Sequence, residues 1–124
     1  MTWLTLSSLA HTWILDLDGT LVKHNGYKND GQDSFLEGTE AFLKNLPKGD
    51  MVIFLTSRTL EQKDLTERFL SDHGIRYDHI IYNAPYGERV LINDRKPSGL
   101  QTAVAVNLVR DDGPGIKIRI DESL

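Results

Sequence analysis

Trp13-Ile14-Leu15-Asp16-Leu17-Asp18-Gly19-Thr20-Leu21-Val22 is the stretch on which the rest of the chain depends. An apolar run stops at two carboxylates, and a Gly-Thr turn follows. Such a run with helical signals downstream predicts a buried parallel strand covered on both faces. In open α/β sheets chemistry sits beyond the carboxyl ends of the strands. Asp16 stands at the last strand position and Asp18 two residues on, so continued pleating would put both carboxylates on one side. Gly19 lets the chain leave sharply, since it tolerates dihedrals that other residues do not.

Two close carboxylates suit a hard cation and a covalent reaction. Mg²⁺ takes a few oxygen ligands and works with phosphates as co-ligands. A carboxylate can also attack phosphorus and form an aspartyl-phosphate. The competing reading of an isolated D-x-D is a polar strand end that caps a turn. What separates the two is whether other strands end on complementary groups.

The chain has 124 residues, 40% of them apolar and 26% charged, with a net charge of −4 and no cysteine. Those values fit one ordinary globular domain, residues 1–124, with a core large enough to stand without staples. No basic cluster stands out, so nucleic acid is not indicated as a partner. Disulfides and thiolate metal sites are excluded, which fits a cytoplasmic setting. Residues 1–10 are mildly apolar but lack a basic lead, and Asp16 follows soon after. Neither a signal peptide nor a membrane span is expected there.

Along the chain, residues 2–10 fit a strand, a short amphipathic helix or a segment covering a neighbour. His11–Leu17 is the first strand. Lys23–Ser34 is a polar, glycine-bearing loop over the site, with Lys23 and His24 either near substrate or simply solvated. Gly38–Leu46 patterns as a helix closed by Pro47 and Gly49. Met51–Leu55 is a second buried strand that ends on Thr56-Ser57-Arg58. Thr59–His73 is the strongest helix, with capping-box spacing between Thr59 and Gln62 and Gly74 at its end. Asp78–Tyr82 and Arg89–Ile92 pattern as further strands, separated by a turn at residues 83–87. After a loop at 93–99, Thr102–Val109 alternates like a strand. A turn at 111–115 and an edge strand at Ile116–Ile120 complete the chain. Alternating strand and helix signals predict an α/β fold: a Rossmann-like three-layer sandwich with a mostly parallel central sheet.

Three of these strands end on chemistry-capable groups: Asp16 and Asp18, then Thr56, then Asp94. Right-handed crossovers put such ends on one edge of a parallel sheet. L-D-L-D-G-T-L, F-L-T-S-R and L-I-N-D-R-K-P occur in the order and spacing of the haloacid dehalogenase (HAD) superfamily, whose members are mostly phosphatases, and the chain resembles that family over nearly its whole length. The resemblance implies Asp16 as nucleophile and Asp18 as general acid and base. It implies Thr56 as a donor to the phosphoryl group. Mg²⁺ would be held by the carboxylates of Asp16 and Asp94 and the main-chain carbonyl of Asp18. Backbone N–H groups from Leu17 onward, with Ser57, are expected to touch the phosphate. Two departures stand out. Asn93 precedes Asp94 where the family often has two acids. Asn83-Ala84-Pro85 stands where similar short members show Gly-Lys-Pro, which leaves the family's lysine role to Arg58, Arg89 or Lys96.

The intervals 18–56 and 57–83 have room for no cap domain, so the resemblance is to the capless type. Capless members act on large substrates or oligomerise to cover small ones. The nearest likeness is to phosphatase-like proteins of capsule and polysaccharide biosynthesis, which implies a phosphorylated small molecule such as a sugar phosphate. Three other readings compete: a binding or regulatory module that kept the fold, a receiver-like phosphoacceptor domain, and a mutase. A receiver takes its acid pair and its phosphorylated aspartate from different strands, unlike the single-strand D-x-D here. A mutase is disfavoured by the missing cap.

Overall fold

The computed structural model describes residues 2–124. It is a mixed α/β structure with two short parallel sheets. In chain order the elements are β1 (Thr2–Leu6), β2 (Thr12–Leu15), α1 (Gly26–Asn29), α2 (Thr39–Lys44), β3 (Met51–Leu55), a 3-10 turn (Leu60–Gln62), α3 (Lys63–Asp72), β4 (His79–Ile81) and β5 (Ile116–Ile120). The central sheet has the order β2-β3-β4, all parallel, with Trp13 opposite Val52, Leu15 opposite Phe54, and Phe54 opposite Ile80.

That register puts Trp13, Leu15, Val52, Phe54 and Ile80 on one face, because side chains alternate along a strand. Helices α2 and α3 close this face. Val52, Phe54, Leu43, Leu46, Leu70 and Ile75 form the core with Leu17, Leu21 and Val22 of the turn after β2. Trp13 packs edge-on to Phe42 of α2 at 5.9 Å. On the other face Ile14 and Ile81 are 51% and 50% exposed. Cover on both faces, as expected from the apolar runs, is therefore seen on one face only.

Buried polar groups fix the entry to the sheet. Asp50 accepts hydrogen bonds from the His11 amide at 3.0 Å, the His11 ring at 3.2 Å and the Trp13 indole at 2.9 Å. Asp78 accepts from the Val52 amide at 2.7 Å. The two aspartates thus tie the starts of β2, β3 and β4 together. Burial pushes the Asp50 carboxyl up, but the bonds from Trp13 and His11 outweigh it and hold it below its ordinary value.

The expected helix at 59–73 is resolved into a 3-10 turn followed by α3, and its capping box forms as the Thr59/Gln62 spacing predicts. The expected helix at 38–46 is shorter, Thr39–Lys44, entered through Gly38 at φ 81°. The ambiguous N-terminal segment is β1, which pairs in parallel with β5. The edge strand at Ile116–Ile120 thus forms, but apart from the central sheet.

Two expected strands are corrected. Arg89–Ile92 and Thr102–Val109 have no strand pairing. Val90 and Ile92 are 79% and 90% exposed. A β-branched run expresses a preference for a pleated, half-buried surface, and here no neighbouring strand supplies one. Among the described residues no helix is long and apolar enough to cross a membrane.

Candidate functional site

β2 stops at Leu15 because the chain immediately folds into a tight turn. The carbonyl of Leu17 accepts from the amides of Thr20, Leu21 and Val22 at 3.2, 2.9 and 3.1 Å. Gly19 makes this possible with φ 81°. Asp16 and Asp18 therefore flank a turn at the carboxyl end of the sheet, where the strand reading placed them. Thr56, directly after β3, stands at the same edge, with its amide donating to Ile81 at 2.9 Å.

Asp16 lies between two donors. The Thr20 hydroxyl donates to its Oδ2 at 2.8 Å, and an Arg89 Nη1 donates to its Oδ1 at 3.3 Å. Its side chain is 34% exposed, so water and a ligand can reach it. Arg89 is thus the cation that meets Asp16, among the three that the sequence left open. Thr56 is buried, and its Oγ1 accepts from the Arg58 amide at 3.0 Å. A hydroxyl that accepts one bond still has its proton to donate. Among the described residues the amides of Leu17 and Asp18 donate to no protein acceptor, and the Asp18 carbonyl accepts no hydrogen bond.

Arg58 is placed differently from the expectation that it meets substrate. It is 4% exposed. Its Nε and Nη2 grip Asp18 at 3.0 and 2.9 Å, Nη1 and Nη2 grip Asp33 at 2.9 and 2.7 Å, and Nη1 also reaches the Thr66 hydroxyl at 2.9 Å. Those five bonds match the five N–H groups of a guanidinium, so none remains for a phosphate. The Tyr27 ring lies 4.3 Å from the guanidinium carbon. Burial alone would lower the Arg58 pKa, and the bonds to Asp33 and Asp18 more than reverse that and raise it above its ordinary value. The physical result is a buried ion triad joining the turn after β2, the 23–34 loop and the start of α3.

Asp94 ends no strand; it lies in the exposed segment without strand pairing. Among the described residues no three His, Cys, Asp or Glu side chains come together in a way that would hold a metal. The Asp94 carbonyl instead accepts from the Thr102 hydroxyl, inside the exposed segment that lacks strand pairing. Asn93 also bonds Thr102, at 3.0 Å. Lys96 sits in a local turn with Gly99 and Leu100, and Ser57 makes no hydrogen bond through its side chain among the described residues. Oxygen donors for a hard cation at the sheet edge are the Asp16 carboxylate and the unbonded Asp18 carbonyl. They fit the oxygen chemistry of Mg²⁺, which commonly keeps waters and takes one or two carboxylates beside substrate phosphate.

Two residues at the turn after β2 were not singled out in the sequence. Thr20 belongs to the motif, and its spacing of four from Asp16 across a glycine turn was the available signal. Arg110 is brought over Gly19 from the far end of the chain, and nothing local marks it. Lys23 pairs with Asp30 at 2.8 Å within the loop. Compared with known proteins, the chain matches no family model, no curated protein and no solved structure.

Proposed function

We propose that this chain is a phosphomonoester hydrolase of the HAD type that works through an aspartyl-phosphate on Asp16, with Mg²⁺ as cofactor and a phosphorylated small molecule, such as a sugar phosphate, as substrate. The observation that carries the proposal is the convergence of Asp16, Asp18 and Thr56 on one edge of a parallel sheet, with a partly exposed Asp16 between Thr20 and Arg89. The capless three-layer arrangement belongs to the same proposal and would require a further layer over Ile14 and Ile81.

In this mechanism an Asp16 oxygen forms a bond to phosphorus as the bond to the leaving oxygen breaks. The amides of Leu17 and Asp18 and the Thr56 hydroxyl are donors for the phosphoryl oxygens that gain charge. Arg89 moves from the Asp16 carboxylate to the phosphate and offsets repulsion between the two anions. The Asp16 carboxylate and the Asp18 carbonyl would hold Mg²⁺, which neutralises phosphate charge. Asp18 gives a proton to the leaving oxygen and later takes one from the water that attacks phosphorus. That water's oxygen bonds to phosphorus, and the Asp16 carboxylate departs unchanged.

A second reading, a catalytically weak or inactive binding module on the same fold, has its own observation. Both Asp18 oxygens are engaged by Arg58, so Asp18 must release one of those bonds to carry a proton. Catalytic hydrogen bonds often rearrange between free and bound enzyme, which keeps the hydrolase reading first. Phosphate release from p-nitrophenyl phosphate and a panel of sugar phosphates, with and without Mg²⁺, separates the two. The hydrolase reading expects Mg²⁺-dependent release. Phosphate binding with no release on any substrate would favour the binding module.

A further inference from the structure

The turn after β2 is completed by residues 110–113, from far along the chain. The Asp111 amide donates to the Gly19 carbonyl at 2.8 Å. Asp111 Oδ1 in turn accepts from the His24 amide at 2.8 Å. Gly113 lies so close to the main chain of Glu37 that an added Cβ would stand 2.5 Å from its carbonyl oxygen. These contacts fasten residues 111–113 across the turn that carries Asp16 and Asp18. Arg110 is the cation they deliver. A Cβ on Gly19 would meet the Arg110 Cγ at 3.0 Å and its Nε at 3.6 Å. Arg110 therefore runs through the space that the absent side chain of Gly19 leaves open.

Arg110 is exposed, and among the described residues no carboxylate pairs with it. Arg58 is consumed by the triad and Arg89 rests on Asp16, so Arg110 is the remaining arginine at this turn with its donors available. A guanidinium beside a phosphoryl site is suited to paired hydrogen bonds with phosphate oxygens.

We infer that Arg110 is a substrate-binding residue, which holds the phosphate of the substrate from the Gly19 side while Arg89 meets it from the Asp16 side. This rests on the proposed hydrolase reading and deepens it: the site is built from both ends of the chain, and it takes a dianionic phosphomonoester between two arginines. Gly19 then has a second role beyond its positive φ, because a Cβ there would press on the Arg110 stem and force it to shift.

The test uses the full chain with Mg²⁺ present and inorganic phosphate as the probe, followed by titration calorimetry, alongside steady-state kinetics on p-nitrophenyl phosphate. Arg110→Gln should weaken phosphate binding and raise KM by about tenfold, the scale of one charge-assisted contact. Its kcat should change little, as expected for a contact made equally in ground and transition states. Arg110→Lys should fall between the two, since it restores charge without the fork. Unchanged phosphate affinity and KM in Arg110→Gln would overturn the inference while leaving the hydrolase reading intact if the wild-type chain turns over. A wild-type chain that neither binds phosphate nor releases it from any ester would overturn both.

Discussion

Arg58→Met removes all five guanidinium donors while keeping an unbranched aliphatic side chain in the same space. Its consequences follow from what the two aspartates lose. Asp33 has a side chain only 2% exposed, and Arg58 is its only ion-pair partner among the described residues. Asp18, at 21% exposure, can recover water on one side. Stranding a buried charge by removing its partner costs about 3–5 kcal/mol, and most of that cost falls on Asp33. A domain of this kind has about 5–15 kcal/mol of stability in total, so the variant should unfold at a clearly lower urea concentration. Removing the stranded charge as well should return part of the loss. The double variant Arg58→Met/Asp33→Asn is therefore expected to be more stable than the sum of its single changes predicts, by roughly 0.5–3 kcal/mol. Urea unfolding of the four proteins by circular dichroism measures that coupling. A cost below about 0.5 kcal/mol for Arg58→Met, as for an ordinary surface change, or strictly additive single changes, would refute the buried triad.

Asp50→Asn tests the sheet entry. The Asp50 carboxyl is held below its ordinary value in the folded chain. Its contribution to stability is therefore present above the unfolded carboxyl pKa and is lost as pH falls through the lower folded value. Thermal unfolding across acidic pH should show the wild type losing its advantage over Asp50→Asn as the pH drops, and a constant difference would contradict this. Gly113→Ala should cost about 1–3 kcal/mol, because its φ of 83° disfavours a side chain and the added Cβ would overlap the Glu37 carbonyl oxygen. Gly49→Ala, with nothing within 4 Å, is the control and should change the urea midpoint little.

The parts of this structure that were legible in the sequence are those whose cause is local. The apolar runs Trp13–Leu15 and Met51–Leu55 become adjacent parallel strands, and the Thr59/Gln62 pair forms the capping box its spacing announces. The D-x-D turn places Asp16 and Asp18 at the strand end because Gly19 permits it. What stayed hidden depends on partners distant in the chain. Val90-Leu91-Ile92 has the composition of a strand, but composition does not supply the neighbouring edge, and Asp94 therefore ends no strand. Arg58 read as a cation free for phosphate, since nothing in T-S-R reveals that Asp33, 25 positions earlier, claims it. The pairing of β1 with β5 joins the two ends of the chain, and Arg110 reaches Gly19 through the same long-range closure.

The proposed covalent role of Asp16 is tested most directly by acid-quenching the chain during turnover of p-nitrophenyl phosphate with Mg²⁺ and mapping the peptides by mass spectrometry. A phosphoryl group on the peptide that carries Asp16, absent together with turnover in a folded Asp16→Asn variant, is the predicted result. Undiminished phosphate release by Asp16→Asn, or a phosphoryl group found only on another residue, would contradict it.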